Sequence, residues 1–177
     1  MAGHNKWTQI KRQKGIADAQ KSRVFSKLAK IIALAARKGG DPGANPDLRA
    51  AIDKAKAENM PADNIERAVK KTSGKADGGK LESVRYEAYG PGGAAVIIDA
   101  ITDNKNRTVA EIKHILSQHN AKFAERGAVI WAFDFADEKP KAKTIIELNE
   151  QDKNLLNNLI EVLMNYDDTQ EIYTNAK

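Results

Sequence analysis

The sequence predicts an α+β chain: an N-terminal bundle of the three-helix type, followed by an antiparallel sheet with helices packed on one face. Three observations carry this. The hydrophobic period changes from helical to alternating near residue 82. A Gly-rich stretch, Ser-Gly-Lys-Ala-Asp-Gly-Gly-Lys-Leu-Glu at 73–82, lies at the change and reads as a linker. The charge also reverses there: residues 1–75 hold 17 Lys/Arg against 7 Asp/Glu, and residues 76–177 hold 12 against 17. The expected division is a basic helical domain at 1–75 and an α+β domain at 82–177.

The elements follow in order. Residues 17–38 place Val24, Phe25, Leu28, Ile31, Ile32 and Ala35 on one face of a helical wheel. Arg23, Lys27, Lys30, Arg37 and Lys38 fall on the opposite side, Lys21 being the exception. Gly39-Gly40-Asp41-Pro42-Gly43 ends this helix. Asn45-Pro46 supplies an N-cap with proline at the first helical position, opening a second helix with Leu48, Ile52 and Ala55 inward. A third, short helix follows Pro61, with Ile65, Ala68 and Val69 as its apolar stripe.

Beyond the linker, Val84, Tyr86 and Ala88 alternate with Arg85, Glu87 and Tyr89, the pattern of a half-buried strand. Gly90-Pro91-Gly92-Gly93 turns the chain into Ala94–Ile101, apolar enough for a central strand. A polar loop at Asp103–Thr108 leads to a helix with Val109, Ile112, Ile115 and Leu116 inward. Ala128–Phe135 reads as a strand, as does Thr144–Leu148, and both are expected in one sheet. A helix through Leu155, Leu159, Ile160 and Leu163 and a last strand at Thr169–Thr174 complete the pattern.

Composition removes whole classes of function. The 177 residues contain no cysteine, which excludes disulfide scaffolds, Cys-based zinc fingers, iron–sulfur clusters and thiol nucleophiles. No apolar run approaches the ~20 residues needed to cross a bilayer, and the start has no apolar stretch of a secretory signal. The expected address is the cytoplasm, with no membrane partner. Gly90–Gly93 lies between two strands rather than before a helix, so it reads as a turn and not as a phosphate cradle. Glu111 and His114 share a helix face, but His119 points elsewhere and no second Glu-x-x-His follows, so a solvated face is the expected reading. His4 has no nucleophile spaced to partner it. The sequence therefore assigns no catalytic residue, metal, cofactor or small-molecule substrate, and it leaves the oligomeric state open.

What the charge pattern favours is a polyanion, DNA or RNA first. Residues 1–40 contain ten basic residues against Asp18 alone. Lys6, Trp7, Lys11, Arg12 and Lys14 interleave an aromatic with cations. The cations suit phosphates, while the indole either stacks on a base or packs on the bundle. Lys21, Arg23, Lys27, Lys30, Arg37 and Lys38 extend the basic set along the first helix. Asn104, Asn106 and Arg107 form a second polar cluster suited to phosphate or ribose, or else a turn with Thr108 capping the next helix.

Several blocks resemble a known family. Ala2-Gly3-His4-Asn5-Lys6-Trp7 is similar to the opening Ala-Gly-His-Ser-Lys-Trp of the YebC/PmpR family. Gly40-Asp41-Pro42 through Asn45-Pro46, Ile52-Asp53-Lys54-Ala55 through Asn59-Met60-Pro61, and Asn64-Ile65-Glu66-Arg67-Ala68 continue the likeness. So do Tyr86–Gly93, Thr102–Glu111 and the tail Asp167–Asn175. The departures are Asn5 for the usual Ser and Arg126 where a small or polar residue is common.

The resemblance implies a helical N-terminal domain followed by two α/β domains. Here only Ala136–Lys143 stands where the third domain is normally inserted, so the chain reads as a short member lacking it. The family is known chiefly for DNA-binding transcriptional regulators. It also includes a mitochondrial translational activator tied to ribosomes. Three readings are therefore carried: a DNA-binding transcriptional regulator, a ribosome-associated translation factor holding ribosomal RNA, and a protein-interaction module docking through its acidic half. The lack of a recognition helix with base-reading Arg, Asn or Gln counts against strongly sequence-specific DNA reading.

Overall fold

The structure, a computed structural model, describes residues 18–73, 80–137 and 139–177. Most of the expected linker lies outside the described residues. The chain divides into two units. One holds the described residues up to Glu82 together with Ile101–Asn104, and the other holds Ser83–Ala100 and Lys105–Lys177.

The first unit contains helices α1 (Asp18–Ala36), α2 (Pro46–Ala57) and α3 (Ala62–Ser73). Their apolar stripes close on one core of Leu28, Ile32 and Ala36 from α1, Leu48, Ala51 and Ala55 from α2, and Ile65 and Ala68 from α3. Asn45 ties the first two helices together. Its side-chain oxygen accepts from the Leu48 N–H at 3.1 Å, the expected N-cap, and its amide donates to the Ala35 and Gly39 carbonyls at 2.9 and 2.8 Å. Helix α2 stops at Asn59, whose φ of 60° is left-handed. The Asn59 N–H then bonds the Lys56 carbonyl and the Met60 N–H reaches back to Ala55, which turns buried Met60 into the core.

The second unit contains β1 (Glu82–Tyr89) and β2 (Ala95–Thr102), except Glu82 at the start of β1 and Ile101 and Thr102 at the end of β2, together with α4 (Lys105–Gln118), β3 (Lys122–Ala124), β4 (Phe133–Asp137), β5 (Lys139–Ala142), α5 (Glu150–Asn165) and β6 (Thr169–Thr174). Four strands form one sheet in the order β3-β1-β2-β6, antiparallel where β1 meets β3 and where β2 meets β6. Strand β2 is central and buried on both faces. Val96, Ile98 and Ala100 meet Ile112 and Leu116 of α4 and Leu156, Leu159, Ile160 and Leu163 of α5. Ala95 and Ile97 face the other way, onto Val129, Ala132, Phe133 and Tyr173. The α+β class and the helix-covered face agree with the sequence reading.

Several elements differ from that reading. Ala128–Phe135 is not one strand: Ile130–Ala132 is a 3-10 turn, and β4 begins only at Phe133. Strand β4 pairs with β5 in a separate two-stranded sheet. The charged segment taken as a bare connection is therefore itself the return strand of a hairpin. Thr144–Leu148 lies outside the main sheet; at its start the Ala132 carbonyl takes both the Lys143 and Thr144 N–H groups, which ties the chain to the 3-10 turn instead. Only Ile146 makes a bridge, to Ala176. Strand β3 is too short to leave a period in the sequence, and Lys105–Thr108 is the first turn of α4 rather than a loop. Buried Glu87, expected on the wet side of β1, accepts the Gly127 and Val129 N–H groups at 2.7 and 2.8 Å and pins the turn beneath the sheet.

The turn reading of Gly90–Gly93 holds at atomic scale. Gly92 has φ of 68°, and a Cβ there would stand 2.5 Å from Leu148 and 3.2 Å from the Asp152 Cβ. The turn therefore fits against the entry to α5, which Asn149 caps through the Asp152 N–H at 2.8 Å.

Candidate nucleic-acid interface

Helix α1 carries most of the expected contact residues. Lys21, Arg23, Arg37 and Lys38 are exposed and Lys30 is half-buried. Lys27, which the wheel sets on the outward stripe, is instead buried, with 7% of its surface exposed. Arg37 donates to the Leu81 carbonyl at 2.6 Å, and Lys38 pairs with Asp47 at 2.6 Å. Both keep solvent-facing surface, so these bonds set the side chains' directions without hiding their charge. Lys6, Trp7, Lys11, Arg12 and Lys14 lie outside the described residues.

Beside the stripe is a groove of about 530 Å³ between α1 and α3. Its floor is apolar, with Phe25 and Ala29 from one wall and Met60 and Ala68 from the other. Its rim carries Lys21, Arg67 and Lys71 and, among the described residues, no carboxylate. Lys21, the exception on the helical wheel, is thus the cation that borders the apolar face. The Arg67 guanidinium is held by the Asp63 carbonyl at 3.3 Å and by the Asn64 side-chain oxygen. Lys21 and Lys71 have no carboxylate partner among the described residues. Arg67 and Lys71 are not found by sequence reasoning from the apolar stripe of α3 alone. The signal was their spacing from Met60 and Asn64, which sets them on one edge.

The second cluster is built differently. Arg107, in the first turn of α4, pairs with Asp168 at 3.1 Å. Asp168 is buried and also accepts from the Thr108 hydroxyl at 2.7 Å and the Tyr166 hydroxyl at 3.0 Å. Thr108 is the fourth residue of α4 and so not its cap. The Asn104 N–H, just before the helix, donates to the Thr102 hydroxyl at 2.9 Å. Asn104 and Asn106 are exposed, and Arg107 is committed to holding α4 against the start of β6. Burial pushes the Tyr166 phenol up, against the hydrogen bonds of Thr108 and Arg107. Tyr173 is raised further, by burial and by its bond to Glu171.

Glu111 and His114 are exposed on α4, and among the described residues no group of His, Asp and Glu is placed to hold a metal ion. No helix among them is long and apolar enough to cross a membrane. Trp131, to which the sequence pattern gives no role, is 52% exposed beside Ile130.

Residues 5–75 match the family described as the TACO1/YebC protein N-terminal domain, and residues 81–138 match its second and third domain. A "probable transcriptional regulatory protein" of Desulfosudis oleivorans is 48% identical over 183 residues, covering 97% of this chain and 74% of that protein. Its counterpart in Geobacter sulfurreducens is 55% identical over 135 residues, 76% of this chain but 55% of the relative. Among solved structures, a conserved hypothetical protein of Aquifex aeolicus superposes with a TM-score of 0.87 at 29% identity, covering 97% of this chain and 96% of that one.

Proposed function

The chain belongs to the TACO1/YebC family, and from that premise we propose that it regulates gene expression by binding nucleic acid, DNA in the first instance, through the basic face of α1. The observation that supports this reading is the separation of charge: the first 75 residues carry 17 basic groups against 7 acidic, while the remainder is net acidic. The relatives' names as transcriptional regulators agree with it. Cations spaced along a helix neutralise successive phosphates and release their counterions, which gives affinity without choosing a sequence. The residues proposed for contact are Lys21, Arg23, Lys30, Arg37 and Lys38, with Lys6, Trp7, Lys11, Arg12 and Lys14. Asn104 and Asn106 are offered as a secondary contact.

The test is a titration of the full chain against duplex DNA and structured RNA at several salt concentrations. If about six phosphates are engaged, affinity falls about a thousandfold between 50 and 200 mM salt. Substituting Arg23, Lys30 and Arg37 by Glu weakens binding to all sequences alike and flattens the salt slope. Equal affinity of variant and wild type would remove α1 as the contact. Sedimentation of cell extract through a density gradient, with and without nuclease, separates a DNA-bound regulator from one that travels with ribosomes.

A further inference from the structure

We propose that the groove between α1 and α3 seats an unpaired RNA strand, with a base laid on Phe25 and the neighbouring phosphates drawn to Lys21, Arg67 and Lys71. The inference rests on the nucleic-acid reading above and adds to the α1 face, proposed there for DNA, a separate seat for an unpaired strand. The groove combines two surfaces that a single ligand must satisfy together: an apolar floor of Phe25, Ala29, Met60 and Ala68, and a rim of three cations with no carboxylate among the described residues. A duplex offers phosphates but keeps its base faces stacked inside, so it cannot use the floor. An unpaired strand presents both a flat π-face and a charged backbone. The volume of about 530 Å³ lies within the roughly 300–1,000 Å³ of ordinary ligand sites.

Two details favour this occupant. Arg67 is already held at the rim by Asp63 and Asn64, so little side-chain freedom is lost when it meets a phosphate. Ser22 and Ser26 bring two hydroxyls to the α1 wall one turn apart, where a ribose 2′-hydroxyl, absent from DNA, finds hydrogen-bonding partners. An acidic amphipathic helix would match the charge. At about 10–12 Å across, however, it would bring only about one turn into a groove of this size.

The full chain is titrated at about 0.1 M salt with a short RNA single strand, the DNA strand of the same sequence, and duplex DNA. The variants are Phe25→Leu, which keeps apolar volume and removes the ring, and the exposed Lys71→Glu. Phe25→Leu weakens the RNA strand roughly tenfold, the worth of one base–aromatic stack, and leaves duplex DNA within about twofold. Lys71→Glu weakens the RNA strand more than the duplex. Thermal melts of both variants confirm that the bundle is intact. An equal loss for strand and duplex in Phe25→Leu, or no loss, overturns the groove as the seat. Equal binding of RNA and DNA single strands overturns the assignment to RNA, and displacement of the RNA by an acidic Glu/Leu helical peptide overturns it in favour of a protein partner. Salt-dependent duplex binding with an RNA affinity indifferent to Phe25 removes the groove alone. Failure to bind any nucleic acid removes the broader reading with it.

Discussion

Single side chains divide into those that a wheel or an alternation places and those that only three-dimensional neighbours explain. Tyr86 is of the second kind. The alternation of β1 puts it inward, and it is 8% exposed, but its hydroxyl is buried with no hydrogen-bond partner among the described residues. Burial first, then the charges of Tyr166 and Asp168, push its phenol pKa above the ordinary 10. The consequence for pH has a definite sign. Above about pH 10 the unfolded chain releases this proton while the folded chain retains it, so stability present at lower pH is lost as pH rises. Tyr166 and Tyr173 add to the same alkaline loss. Tyr86→Phe removes both the unmatched hydroxyl and one of these protons. It is expected to hold or raise stability at neutral pH by up to about 1 kcal/mol and to make the alkaline decline shallower. Urea unfolding at pH 7 and above pH 10 checks both parts. A large loss at pH 7 would mean that the hydroxyl is matched after all. Glu87 shows the same limit of reading: alternation sends it to solvent, yet two N–H groups 40 and 42 residues away in sequence make it a buried anchor. Lys27 shows it from the other side, a buried cation on a stripe that the wheel sets outward.

At the scale of elements, the helices were legible because each repeats its apolar signal over three turns or more, and Asn45-Pro46 announces the start of α2 by its chemistry. The short pieces were not. Strand β3 has three residues and β5 four, below the length at which alternation says anything, and both exist because a neighbour supplies the pairing. The start of α4 is hidden for a related reason: Asn104, Asn106 and Arg107 look like loop residues, and the carboxylate that holds Arg107 is 61 residues on. Asp168 accepts from Arg107, Thr108 and Tyr166 and so fixes the first turn of α4. Asp168→Asn retains one acceptor for Thr108 but gives up the charge opposite Arg107. Arg107 is 48% exposed and can turn to water, so the expected loss is about 1–3 kcal/mol rather than that of a fully buried pair. Hydrogen exchange should report faster opening of the amides in the first turns of α4, with the amides of α5 little changed. Uniform loosening of both helices would show that Asp168 supports the whole core instead.

For the whole molecule the informative quantity is the charge map, which the sequence displays in full and which packing cannot alter. What the sequence left out is the groove, since Phe25, Arg67 and Lys71 become neighbours only when α1 and α3 meet. If the basic unit makes the contact, the acidic remainder acts on a phosphate backbone only at long range, by repulsion that salt screens. The Debye length is about 10 Å at 0.1 M and about 3 Å at 1 M, so such repulsion fades quickly with salt. Glu147, Glu150 and Glu161 are exposed in and beside α5, in the net-acidic unit. Reversing all three to Lys should speed association with duplex DNA and strengthen it severalfold at low salt. The gain should shrink to nothing as salt approaches several hundred millimolar, with little change in the dissociation rate. Stopped-flow association at three or more salt concentrations measures this directly. A gain that persists at high salt, or that appears chiefly as slower dissociation, would mean that the new cations touch phosphate. The acidic unit would then lie against the nucleic acid, and the contact could no longer be confined to the helices.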